Sequence, residues 1–149
     1  MNKIIVFDFD KTLTKHDTML DFFCFNEKKT PIFLFKLFVY FLCMILTKFK
    51  IISNTNQKKI GVFLFLRSLS ESRLSFKLRE FNKSGIIKYS KLYKDLNFKN
   101  NINYYVVSAS FESYIKPIFP AFVQVVGSKL VRNKKNLVVL ENNCFGLSK

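Results

Sequence analysis

One stretch limits the fold of this chain more than any other. From Ile32 to Thr47 run sixteen residues with a single charge, Lys36. Thr30-Pro31 just ahead is a helix start, with Thr as N-cap and Pro at the first helical position, where no backbone donor is required. A helix over these residues is roughly 24 Å long, short of the roughly 30 Å hydrocarbon core of a bilayer. Lys48 and Lys50 follow at once. Three environments suit such a helix: a membrane span, a membrane interface with lysines snorkelling to the head groups, or a buried position in a cap. The sequence leaves all three open.

The remaining residues supply an ordinary core. Hydrophobic residues make up 49% of 149, enough for one domain or one domain carrying a small insert. The 19 Phe lie mostly in residues 22–81, which marks that stretch as helical and unusually apolar. Net charge is +15 and unevenly spread. Residues 1–30 hold five basic and five acidic residues, residues 31–100 fourteen and three, and residues 101–149 six and two. The positive field therefore sits in the middle segment. It suits a polyanion: phospholipid head groups, nucleic acid or a phosphorylated substrate. A solvated lysine-rich face is the plainer reading. Nucleic acid fits least, because Phe comes in apolar blocks instead of alternating with Arg, a poor design for base stacking. Cys24, Cys43 and Cys144 have no metal-ligand spacing and cannot all pair, as expected of a reduced cytoplasmic protein, at the inner membrane face if the apolar helix is interfacial. The opening residues do not read as a signal peptide, since Asp8 and Asp10 interrupt a very short apolar core.

Local patterns fill in the order of elements. Residues 3–9 read as a buried strand ending near Asp8. Ser68 with Glu71 forms a capping box, and Leu74, Leu78 and Phe81 then recur at helical spacing until Gly85. Tyr89, Leu92, Tyr93 and Leu96 mark another helix. Residues 102–107 form a second strand ending in Ser108-Ala109-Ser110, followed by a short helix from near Phe111 to Pro117. Residues 122–126 form a third strand. Residues 129–131 and 137–140 flank a polar run and read as a hairpin. The expected fold class is α/β: an open parallel sheet, a helical cap inserted after the first strand and a small β-hairpin. Ligands of such sheets sit beyond the C-terminal strand ends, where Asp8 and Ser108 could meet.

Asp8-Phe9-Asp10-Lys11-Thr12-Leu13-Thr14 carries the chemistry. Two carboxylates at i and i+2 after an apolar strand can divide labour, one attacking phosphorus and the other moving a proton. An Asp- and Thr-rich turn is the structural alternative. In Val106-Val107-Ser108-Ala109-Ser110 a strand-end hydroxyl before a helix can donate to a phosphoryl oxygen, or serve only as an N-cap. Asn143-Cys144-Phe145-Gly146-Leu147-Ser148-Lys149 closes the chain with a lysine able to neutralise phosphoryl charge.

These three segments, in this order, resemble the haloacid dehalogenase (HAD) superfamily, in its phosphoserine-phosphatase-like branch with a helical cap after the first motif. The resemblance implies a magnesium-dependent phosphomonoesterase that works through an aspartyl-phosphate. It implies a Rossmann-like core over 1–13 and 100–149 and a hydrophobic, basic cap over 14–99. Asp8 would be the nucleophile and a magnesium ligand, Asp10 the general acid/base that lends its carbonyl to the metal, Ser108 the second-motif hydroxyl and Lys149 the third-motif lysine. Phe9, Thr12 and Ala109 would border the substrate, with Thr12 supporting the loop. Asp17 lies where a substrate-facing acid sits in phosphoserine phosphatases, and it equally suits a helix cap.

Two departures from the family pattern set further expectations. Lys11 stands where Gly is commoner, a change expected to matter little because its side chain can face solvent. The chain ends at Lys149, before the Gly-Asp-x-x-x-Asp type fourth motif that completes the magnesium site, so the core is expected to be incomplete and its hydrolysis weak. The apolar, basic insert is similar to that of phosphatidylglycerophosphatase members and points to a lipid-linked phosphate. Phosphoserine is the alternative substrate, and a non-catalytic basic module on a membrane surface the alternative class. The oligomeric state is left open.

Overall fold

The computed structural model describes residues 3–99 and 101–144. β-Branched residues open the first strand, β1 (Ile4–Asp8), which pairs in parallel with β2 (Asn103–Phe111). β2 pairs in parallel with β3 (Gln124–Arg132), and β4 (Val138–Asn142) turns back antiparallel on β3. The sheet order is β1-β2-β3-β4. The α/β sheet, the helical insert and the hairpin are as expected. Two details differ. β1 is an edge strand buried on one face only: Ile5 and Phe7 turn to the core, while Ile4 and Val6 are 61% and 60% exposed. The strands expected separately at 122–126 and 129–131 are one strand, continuous through Gly127. A Cβ there would lie 2.7 Å from the Glu112 backbone nitrogen, so only glycine lets β3 pass the chain leaving β2.

Between β1 and β2 the chain makes the crossover that parallel pairing requires. It contains α1 (Met19–Cys24), α2 (Pro31–Lys48), α3 (Asn54–Phe65), α4 (Glu71–Lys83) and α5 (Lys91–Asp95). α2 starts as its sequence dictates, with Thr30 Oγ1 accepting from the Phe33 amide at 3.2 Å. α4 is capped by Ser70, whose hydroxyl accepts from the Arg73 amide, and not by Ser68 as expected. A backbone bond from Leu69 N to Leu66 O keeps Ser68 in the preceding turn. α3, capped by Ser53, has no counterpart among the helices expected from sequence. After β2 come α6 (Glu112–Ile115) and a short 3₁₀ turn to Ile118.

The Phe-rich insert and the sheet share one apolar core. Phe22 packs on Phe81 at 5.3 Å, on Tyr114 at 4.9 Å and on Phe111 at 5.9 Å between ring centroids. Phe23 packs on Tyr40 and Phe65, both at 5.3 Å, and on Phe111 at 5.8 Å. Such pairs contribute about 0.5–1.5 kcal/mol each beyond simple burial. Where α1, α2 and α3 approach one another stands Gly61. A Cβ there would come within 2.6 Å of the Phe23 ring and 2.8 Å of the Tyr40 ring.

Gly61→Ala therefore tests this packing. Alanine favours a helix by about 1 kcal/mol over glycine, but overpacking a full core costs about 1–3 kcal/mol. The expected outcome is a lower urea midpoint for the variant. A raised midpoint would show that the three helices are looser than described.

Candidate active site

The chain leaves β1 at Asp8 and turns tightly through Phe9–Leu13. Lys11 takes φ 62° within this turn, the left-handed region. Its side chain is exposed, as expected, yet the substitution is not innocuous: a side chain in this conformation costs about 1 kcal/mol or more relative to glycine. Thr14 braces the loop, a part that the sequence assigned to Thr12. Its Oγ1 accepts from the Lys11 amide at 3.2 Å and donates to the His16 carbonyl at 2.7 Å.

The turn places Asp10 where three donors meet its carboxylate. Oδ1 accepts from the Thr18 amide at 2.9 Å and the Thr18 hydroxyl at 2.8 Å, and Oδ2 accepts from Ser108 Oγ at 2.8 Å. Thr18 Oγ1 also lies 2.8 Å from the Tyr114 hydroxyl. Because the single Thr18 proton points to Asp10, Tyr114 is the donor in that pair. Burial, and then the Asp10 charge, push the Tyr114 hydroxyl well above its ordinary pKa, so it keeps the proton it donates.

Asp8, Asp10, Lys11 and Asp17 line a pocket of about 460 Å³ together with Ala109 and Ser110 at the end of β2. Tyr40 and Met44 of α2 and Lys58 of α3 close its other side. Ser108 stands behind this pocket. It is fully buried, and the register pairs Asp8 with Val107, so pleat alternation sends Asp8 and Ser108 to opposite faces of the sheet. The expected meeting of these two side chains does not occur; Ser108 reaches the site through Asp10. Nor is Ser108 an N-cap, since β2 continues to Phe111. Phe9 is likewise fully buried, edge-on to Phe119, so its side chain cannot touch a substrate.

Asp17 stands at the start of α1, where the helix-cap alternative put it. It lines the pocket, and its Oδ1 accepts from the Met19 amide at 3.0 Å at the start of α1. Desolvation raises its carboxyl above the usual range, against the lowering effect of that hydrogen bond. Ala109 contributes its carbonyl, which accepts from Ser128 Oγ at 2.7 Å and from Lys58 Nζ. Lys149 lies outside the described residues.

Lys58 escaped the sequence reading. The residue is 3% exposed, and its ammonium donates to Ala109 O near the end of β2, Ser128 Oγ in β3 and Asn143 Oδ1 just after β4. Asn143 in turn donates to Thr55 Oγ1 at 2.8 Å, so α3 is fastened to the sheet twice. The missed signal was periodic. Lys58 precedes buried Gly61, Val62 and Phe65 by three, four and seven residues, on the same helical face.

The haloacid dehalogenase-like hydrolase family model matches residues 5–149. The chain belongs to this family. No curated protein matches its sequence. HAD-like hydrolases generally use magnesium, and the donor chemistry here suits that ion: Asp8 and the loop carbonyls are hard oxygen ligands. Asp10 has both carboxylate oxygens engaged, which leaves its carbonyl for such a role. Among the described residues no group of three His, Cys, Asp or Glu side chains could hold a metal. Magnesium keeps several waters and is usually held through one or two carboxylates; Asp8 would be the residue to hold it, by a single protein carboxylate.

Two substitutions probe how this HAD-like site is held. Lys58→Met removes a buried donor from three acceptors and should cost about 2–4 kcal/mol in denaturant unfolding. Lys11→Gly relieves the left-handed backbone and should raise stability by up to about 1 kcal/mol. A neutral Lys58→Met would mean that the cation holds nothing together.

Proposed function

We propose that this HAD-like hydrolase is a phosphomonoesterase that works through phospho-Asp8 on a lipid-linked phosphate. One observation carries the reading: Asp10, held by three hydrogen bonds, shares a pocket with Asp8 at the C-terminal end of β1. An Asp8 carboxylate oxygen bonds to phosphorus as the ester P–O bond breaks, and a proton on Asp10 passes to the leaving oxygen. Water then attacks the acyl-phosphate, gives its proton to Asp10 and releases phosphate with Asp8 restored. Thr18 and Ser108 keep the Asp10 carboxyl from rotating between the two transfers. Magnesium at Asp8 would offset the repulsion between that carboxylate and an already anionic phosphate. Lys58 adds a fixed positive charge beside the Ala109 carbonyl.

The lipid part rests on α2, whose Tyr40 and Met44 form a wall of the pocket. An amino-acid phosphate is the second reading, because Asp17 at the pocket edge could face an ammonium group. A phosphate-release assay in magnesium, with phosphatidic acid in detergent micelles against phosphoserine, separates the two. The lipid phosphate should give the higher kcat/KM. Asp8→Asn should lower the rate about 10³-fold or more, and acid-quenched protein should carry one phosphoryl group on Asp8. Absence of phosphate release from either substrate, or release undiminished in Asp8→Asn, would overturn the proposal and favour a non-catalytic basic module.

A further inference from the structure

We propose that the outer face of α2 docks on an anionic lipid bilayer, with the helix lying along the surface. This goes beyond the hydrolase reading and stands on observations apart from the catalytic residues. α2 packs on one side only. Of its eighteen residues, Tyr40 and Cys43 are buried, and the Tyr40 ring meets Phe23 at 5.3 Å and Phe65 at 6.0 Å. The opposite side presents Leu34, Phe35, Phe38, Phe41, Leu42 and Ile45, each 44–67% exposed. A surface helix normally turns polar residues outward; this one turns out a stripe without a polar side chain.

Charge selects the occupant. Between Glu27 and Glu71 the sequence has no acidic residue and eight basic ones. Lys28 and Lys29 precede the helix, and Lys48 and Lys50 lie at its end, so cations flank the apolar face at both ends. A second copy seated on this face would bring like charges together, whereas an anionic head-group layer neutralises them. α2 is long and apolar enough to cross a membrane, but on its inner side Tyr40 packs on Phe23 of α1 and Phe65 of α3, protein where a span would need lipid. Since Tyr40 and Met44 project from that inner side into the catalytic pocket, docking holds the pocket about one helix diameter, roughly 10 Å, from the bilayer.

The chain contains no Trp, so F38W gives a single reporter on this face and F122W a control before β3. Vesicles of phosphatidylcholine with phosphatidylglycerol should shift the F38W emission to the blue and leave F122W unchanged; phosphatidylcholine alone should do neither. Binding should weaken roughly tenfold or more between about 0.1 M and about 1 M salt, as the Debye length falls from about 10 Å to about 3 Å. Replacing Phe35, Phe38 and Leu42 together by Ser should abolish binding without changing the circular dichroism, because these side chains are exposed. Asp8→Asn should bind like the parent chain, so failure of hydrolysis and failure of docking are read separately. An F38W shift without vesicles that grows with protein concentration would assign the face to a second copy and overturn the proposal. So would vesicle binding that survives the triple substitution, or retention in membranes washed with alkaline carbonate, the mark of a span.

Discussion

Two adjacent phenylalanines hold the molecule together. α1 has six residues, too few for a helix that stands alone in water. It persists because Phe22 and Phe23, both fully buried, pack together against Phe111 at the end of β2. Phe22 reaches α4 and α6 through Phe81 and Tyr114, and Phe23 reaches α2 and α3 through Tyr40 and Phe65. Full burial of each such ring is worth about 1.5–3 kcal/mol. The chemistry follows from this packing. Thr18, the residue ahead of α1, is fixed by the anchored helix, so its amide and hydroxyl meet Asp10 at set distances. Tyr114, its ring tilted against Phe22, completes the same chain of hydrogen bonds. Moving α1 would therefore turn the Asp10 carboxyl.

Much of this architecture was legible because it depends on local pattern. The strand before Asp8, the Thr30-Pro31 helix start, the strand before Ser108 and the hairpin each show in a few consecutive residues. What depended on pairings distant in sequence did not show. Lys58 reads as one more surface lysine until Ala109, Ser128 and Asn143 converge on it. Ser108 was expected at a strand end but lies within β2, which continues to Phe111; the half-turn of a pleat decides whether it faces a ligand or Asp10, and one residue of register reverses that. Ser68 and Ser70 offer two N-caps around a single leucine; only the Leu66–Leu69 turn chooses between them. Lys11 illustrates another limit. Its exposure was foreseeable from its chemistry, whereas its positive φ follows from the turn that carries Asp10 beside Thr18.

The pocket has an electrostatic problem that its geometry partly answers. Four carboxylates line it: Asp8, Asp10, Asp17 and Asp21. An incoming phosphate is repelled by every one that remains ionised and open. Asp21 meets His16 at 2.7 Å, and Asp10 is surrounded by donors. Asp17 has its carboxyl raised by desolvation, so its charge weakens as pH falls toward the acid range. Asp8 also lines the pocket, with Lys11 and Lys58 as its lysines. Since Lys58 already serves three acceptors, it stabilises a phosphate through its field more than by a new hydrogen bond.

The phenylalanine content acquires two meanings once the fold is known. Phe22, Phe23, Phe65 and Phe81 are core, whereas Phe35, Phe38, Phe49, Phe63 and Phe76 are 46–71% exposed. Composition cannot tell these sets apart, and on α2 periodicity fails as well, because both sides of the helix are apolar. The discriminating fact is which side the rest of the fold covers. Gly61 lets α3 approach closely enough for Phe23 and Phe65 to pack on Tyr40 and cover one side of α2. The other side is left to whatever medium adjoins it. The pocket wall formed by Tyr40 and Met44 and the exposed apolar stripe therefore belong to one helix. If that stripe docks on a bilayer as proposed, the pocket would stand off the surface by a distance set by the diameter of α2, without requiring a moving part.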